Sequence, residues 1–254
     1  MKEHIEIMVK RIARVTLCGI FILRSVVCAN AQDKIQTYFT IDDMPDLVKC
    51  LPAPPDTIGP EFAHDIMRYM WGKQQRLDEK RADIARRDAV WTLEALFTTF
   101  NVPFGLELSE KNTPEIWKLL MNSMSTIDLI RIRPKAYFKR MRPFERFQEH
   151  LLAVEEEDEL RGEGSYPSGH TIRGWSTALL LSEINPAAAD TLYARAWMYG
   201  ESRVIVGAHW QSDVDASRLA ASIGYAKLQT SPAFRKQMAK AQAEFARKTK
   251  GVRN

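Results

Sequence analysis

Three short clusters carry side chains able to hold and transfer a phosphoryl group. In the middle one, Gly164-Ser165-Tyr166-Pro167-Ser168-Gly169-His170-Thr171, a Ser, a Gly and a His stand where a loop passes into a helix. The helix is predicted from Thr171 onward, because Thr171, Trp175, Ala178, Leu179, Leu181 and Ile184 recur at near-helical spacing and no Pro intervenes before Pro186. Its N-terminus would present unpaired N–H groups and a partial positive charge, which suits an anion. Upstream lie Lys135 and, after six intervening residues, Arg142-Pro143. Downstream lie Ser202-Arg203, then His209 after five residues and Asp213 after three more.

The chemistry of the clusters converges. Lys135, Arg142 and Arg203 are cations suited to phosphate oxygens; Arg grips two oxygens through its planar fork, while Lys acts as a point charge. If His209 opens a helix, Asp213 falls one turn along on the same face. Its carboxylate could then accept from Nδ1–H of His209 and leave Nε2 with a free lone pair, the orienting logic of a catalytic triad. His170 is a second imidazole, available as a proton donor. Each feature also has a plainer meaning. Ser-Gly at a helix start is often a cap. The basic run from Arg131 to Arg142 reads equally as a solvated face; a nucleic-acid patch would need a basic–aromatic repeat that is not there. His209, Asp213 and His170 could be part of a metal site, but three neighbouring Lys/Arg side chains would repel a cation. His64 and His150 match no motif.

With the three clusters in this order, the chain resembles the type 2 phosphatidic acid phosphatase superfamily, which includes soluble bacterial acid phosphatases and vanadium haloperoxidases. The pattern positions are Lys135, Arg142, Pro143; Pro167, Ser168, Gly169, His170; Ser202, Arg203, His209 and Asp213. The spacers 144–166 and 171–201 suit its compact members. The text around 164–171, with Ser-Arg-Val-Ile-Val-Gly-Ala-His-Trp-Gln-Ser-Asp-Val-Asp at 202–215, is similar to the class A bacterial nonspecific acid phosphatases, from about Leu51 to the C-terminus.

The resemblance implies an all-α, single-domain helical bundle and a broad, metal-independent phosphomonoester hydrolase that uses no cofactor. It implies that Lys135, Arg142, Ser168, Gly169 and Arg203 bind the phosphoryl oxygens and that His209, oriented by Asp213, attacks phosphorus. His170 then protonates the leaving alcohol and later activates water. An alcohol accepted in place of water would give transphosphorylation. The family name implies an acidic optimum, and relatives often form homo-oligomers. A vanadium-dependent haloperoxidase, with His209 bound to vanadium, and a membrane-associated lipid-phosphate phosphatase are the alternatives within the same superfamily.

These residues need elements to position them. Helices are expected over 59–75, 77–100, 113–137, 171–184, 187–205, 210–229 and 232–248, the last with Phe234, Met238, Ala241 and Phe245 on one face. Strand-like alternation is scarce. Residues 32–58, including Leu51-Pro52-Ala53-Pro54-Pro55, are expected to be an extended entry to a domain spanning 59–254. The acidic run Glu155–Glu159 reads as a solvated loop or short helix face, with pocket gating a minor option. Leaving-group contacts are expected from the connectors around 101–112 and 144–163.

Residues 1–31 read as a secretory signal: Lys10, Arg11 and Arg14, then the apolar run Val15–Leu23, then Ala29-Asn30-Ala31 as a cleavage site, with Met8 an alternative start. The run is far short of the roughly 20 apolar residues needed to span a bilayer. Removal of this leader takes five of 36 basic and two of 32 acidic residues and leaves a balance near +1. No global field for nucleic acid or an anionic membrane then remains. The expected partners are small phosphomonoesters, in the periplasm, without stable membrane insertion. Cys18 and Cys28 leave with the leader, so Cys50 is expected to be a buried or inert thiol.

Overall fold

Helix starts follow local chemistry. In the computed structural model, which describes residues 35–250, Pro60 and Pro114 open helices at positions where the missing N–H has no partner to lose. Asp78 caps another by accepting from the N–H groups of Lys80 and Arg81. The long helices are α1 (Pro60–Gln75), α2 (Glu79–Ala89), α3 (Pro114–Ile127), α4 (Gly169–Ile184), α5 (Ala189–Val206), α6 (Gln211–Gln229) and α7 (Pro232–Lys250). No strand occurs among the described residues. The fold is all-α, and residues 35–250 lie within one compact unit. The leader and its cleavage site lie outside the described residues.

Helix α4 is the axis. It packs against α5 and α6 and, less extensively, against α3; α7 lies on α3, and α1 and α2 lie on α5. Its buried residues run right round the helix, from Thr171 and Ile172 to Ala178, Leu180 and Leu181, as expected for a helix enclosed on all sides. Gly174 sets the approach of α4 to α5, since a Cβ there would stand 2.6 Å from Cδ1 of Tyr199. No helix among the described residues is long and apolar enough to cross a membrane.

Several expected elements differ in extent. The span 77–100 is not one helix: α2 ends at Ala89, and after Val90-Trp91 the Thr92 hydroxyl caps a new helix, Leu93–Thr98, by accepting from the Ala95 N–H. Two β-branched residues and a good cap favour the break over continuation. The span 113–137 continues as a 3-10 turn at Asp128–Arg131 and a short helix at Ile132–Phe138. The entry segment is interrupted by a single helical turn, Leu47–Cys50, capped by Asp46. Cys50 ends that turn, free and exposed rather than buried.

Candidate active site

Ser168 is the N-cap of α4. Its Oγ accepts from the N–H and the hydroxyl of Thr171, and its own N–H donates to Ser217 Oγ at 2.7 Å. The helix therefore begins at Gly169, two residues before the expected start, and Gly169 and His170 form its first turn. Both line a cavity of about 210 Å³, together with Lys135, Arg142 and His209. Ser168, Arg203 and Asp213 are wholly buried and do not line it.

His209 is delivered by a tight turn. Helix α5 ends at Gly207, whose φ of 89° is left-handed. The N–H groups of Ala208 and His209 then fold back onto the Arg203 carbonyl, at 3.2 and 3.3 Å. Only Gly takes this conformation cheaply, and a Cβ there would also meet Arg76 Nη2 at 2.7 Å. His209 thus precedes α6 rather than opening it; Trp210 is the cap.

That placement corrects the expected His–Asp contact. Asp213 sits in the first turn of α6, where its Oδ2 accepts from the Trp210 N–H at 2.9 Å and its Oδ1 from Arg140 Nη1. Nδ1 of His209 stands 3.4 Å from Oδ2, an ion-pair distance without hydrogen-bond geometry. The backbone cap and Arg140 hold the carboxylate first. Even so, the expected tautomer follows from the other ring nitrogen. Nε2 lies 3.2 Å from Arg142 Nη1, and a guanidinium only donates, so Nε2 carries the lone pair and Nδ1 the proton.

The cations are tightly engaged. Arg142 Nη1 donates to the Ala208 carbonyl at 2.9 Å, and Nε to the carbonyls of Leu160 and Glu163 at 3.1 and 3.0 Å. Lys135 Nζ donates to the Gly164 carbonyl. Arg203 Nη2 reaches Glu156 Oε2 at 2.8 Å, while its Nε and Nη1 are buried without a partner. On the opposite wall His170 Nε2 lies 2.8 Å from the Ala89 carbonyl, and the ring packs on Trp91 at 4.5 Å between centroids. A carbonyl only accepts, so the Nε2 proton is fixed there and Nδ1 is the nitrogen left to exchange protons.

Comparison with known proteins identifies the chain. Residues 117–232 match the PAP2 superfamily. The chain is 38% identical over 245 residues to a non-specific acid phosphatase of Providencia stuartii, covering 94% of this chain and 98% of that one. It is 37% identical to a non-specific acid phosphatase of Salmonella typhimurium (85% and 86% covered) and 40% identical to that of Salmonella typhi (77% and 78%). The chain belongs to the non-specific acid phosphatases of the PAP2 superfamily. The catalytic assignment of its residues is taken up below.

Electrostatics in the acid phosphatase follow from burial among cations. The His170 pKa is pushed well below its ordinary value, first by burial and then by Arg203; the Ala89 carbonyl offsets part of this. The His209 pKa is also pushed well down, by burial, then Arg142, Lys135 and Arg203, against the Ser165 carbonyl. Lys135 is lowered to about 8, by burial and then by Arg142. An unliganded site therefore keeps both imidazoles neutral well into acid.

Several residues of the phosphatase's cavity escaped the sequence reading. Glu156, Glu159 and Glu163 line it, from the 144–163 connector expected to contribute. The acidic run is a short helical stretch with Glu155, Asp158 and Glu159 exposed, as expected, but its Glu156 and Glu159 also form part of the cavity wall. Glu157, in the same run, turns inward and accepts from the Leu151 N–H at 2.7 Å. Trp91 comes from the unforeseen break after α2; residues 101–112 contribute nothing to the lining. Asp65 and Arg140 extend the Asp213 contact: Arg140 Nη2 meets Asp65 Oδ2 at 2.7 Å, and Asp65 Oδ1 accepts from the Ser212 N–H at 2.8 Å. The Thr92 cap signal could have revealed Trp91. Nothing local in the sequence points to Asp65 and Arg140, which lie 75 positions apart.

Proposed function

We propose that the phosphatase hydrolyses a broad range of phosphomonoesters, without a metal, through a phosphohistidine at His209. The observation that carries this reading is the convergence of Lys135, Arg142, Gly169, His170 and His209 on one cavity, backed by Arg203, which is wholly buried with Nη2 on the cavity-lining Glu156 and with Nε and Nη1 unpartnered. Buried charged donors without partners are expensive, and an oxyanion relieves that expense. Lys135, Arg142, the Ser168 hydroxyl and the Gly169 N–H complete the binding set, and their main effect is on the charge that develops in the transition state.

In the first step the Nε2 lone pair of His209 forms a bond to phosphorus as the bond to the leaving oxygen breaks. His170 gives the Nδ1 proton to that oxygen, while its Nε2–H stays on the Ala89 carbonyl. Water then enters, loses a proton to His170 and attacks phosphorus; the P–N electron pair returns to His209. An alcohol entering in place of water would give phosphotransfer. Export to the periplasm belongs to the same proposal and rests on the leader at 1–31; N-terminal sequencing of the exported protein checks it. The homo-oligomer implied by the family is checked by light scattering.

The deciding experiment is hydrolysis of p-nitrophenyl phosphate from acid to neutral pH in excess EDTA, beside His209→Ala. The expected outcome is EDTA-resistant activity and an alkali-stable, acid-labile phosphoenzyme, both absent from the variant. Loss of activity in EDTA, or a phosphoenzyme that survives His209→Ala, would sink the scheme.

A further inference from the structure

Glu163 occupies the donors that a phosphoryl group would need. Its Oε2 stands 3.2 Å from Arg142 Nη2, and its Oε1 stands 3.3 Å from Lys135 Nζ and 3.6 Å from Arg131 Nη1. Arg142 Nε is committed to the carbonyls of Leu160 and Glu163, and Nη1 to the Ala208 carbonyl and His209 Nε2. Nη2 meets Glu163 Oε2 and, at 3.4 Å, the Gly164 carbonyl, so it is the donor that could exchange a side-chain partner for a ligand oxygen. The Glu163 side chain is 42% exposed, against 9% for Lys135 and 1% for Arg142. It is the partner that can swing away. Glu156 differs: its side chain is 15% exposed, and it holds Arg203 by Nη2 alone, leaving Nε and Nη1 free.

The cavity is smaller than the roughly 300–1,000 Å³ usual for whole ligands, so a leaving group must project across its rim. Glu159 and Glu163 stand on that rim. We propose that Glu163 is a carboxylate placeholder which phosphate must displace from Lys135 and Arg142, and that, once displaced, it acts with Glu159 to select against leaving groups carrying further negative charge. This rests on the cavity being the phosphate site of the reading above. A displaced Glu163 would still stand at the mouth with Glu159, where Arg131, which also lines the cavity, offsets only part of their combined charge. A neutral alcohol passes that rim without penalty, whereas the second phosphate of a diphosphate faces like charges.

The test combines binding and turnover. Inorganic phosphate binding is measured by calorimetry in the His209→Ala background, where no turnover is needed. There Glu163→Gln is expected to tighten phosphate by about two- to fivefold, the scale of a partly exposed ion pair. With His209 intact, the ratio of kcat/KM for p-nitrophenyl phosphate to that for inorganic pyrophosphate is expected to fall severalfold in Glu163→Gln and in Glu159→Gln. Only the former should alter phosphate binding. Glu163→Asp keeps the charge but shortens its reach, so it should tighten phosphate yet retain the discrimination; it also carries the test if Glu163→Gln folds poorly. Unchanged phosphate affinity in both Glu163 variants, or an unchanged ratio in Glu159→Gln and Glu163→Gln, overturns the proposal. Tightened phosphate in a protein whose phosphoenzyme survives His209→Ala would instead spare this proposal and defeat the phosphohistidine one.

Discussion

At the scale of single residues, the two imidazoles sit under one constraint with two consequences. Burial and neighbouring cations depress both pKa values, so His209 stays unprotonated well below its ordinary titration range, as the proposed attack on phosphorus requires. The same forces strip the proton from His170 as pH rises, which places the alkaline limb of activity in acid. A bound phosphate ester cancels part of the local positive charge and lifts both values. The alkaline limb of kcat should therefore lie at higher pH than that of kcat/KM, since the first reports the complex and the second the free enzyme. Steady-state profiles for one substrate check this. For His170→Ala, kcat on an alkyl phosphate is expected to fall by about 10²–10⁴, the range for general acid–base catalysis. The loss should be far smaller with p-nitrophenyl phosphate, whose leaving group needs little protonation.

At the scale of elements, two junctions hold the site. One is the pairing of α4 with α5 at Gly174, where the Tyr199 ring fills the space of a Cβ. Gly174→Ala is expected to destabilise by about 1–3 kcal/mol, the usual cost of overpacking, and thermal melts would read it as a lowered Tm. The other is the bridge from α1 to α6 through Arg140, whose guanidinium joins buried Asp65 to buried Asp213. Asp65→Ala removes one carboxylate and leaves the Ser212 N–H without its acceptor. A loss of about 3 kcal/mol in urea denaturation is expected, as for a broken buried pair. Activity should also fall, because Asp213 and the turn carrying His209 lose one of their anchors.

At the scale of the whole molecule, the site makes stability depend on pH and on ligand. Below about pH 6.5 the unfolded chain takes up protons on His170 and His209 that the folded chain refuses. The unfolded state binds more protons there, so these two groups make the native state progressively less stable as pH falls from 6.5 toward their depressed values. Inorganic phosphate binds only the native state and should raise Tm, by about 2.7 kcal/mol of stabilisation at a hundredfold excess over Kd. Because the anion favours protonated imidazoles, that gain should be larger in mild acid than at neutral pH. Melts with and without phosphate across this range check both signs.

The sequence by itself determined the family and most of the scaffold. Lys135, Arg142, Gly169, His170 and His209 were legible as one set and meet at one cavity, because motif spacing around a loop and its helix is local information. The main helices were legible for the same reason: their apolar periodicity, prolines and caps act within a few residues. The tertiary structure alone decided that Trp91 reaches His170, that Arg140 and Asp65 anchor Asp213, that Glu156 lies on Arg203 and that Glu163 lies on Lys135 and Arg142. It also decided that His209 stands outside its helix, 3.4 Å from Asp213 without a hydrogen bond. Ion pairs and buried hydrogen bonds between distant segments depend on where helix packing brings their backbones, and no local pattern of residues encodes that.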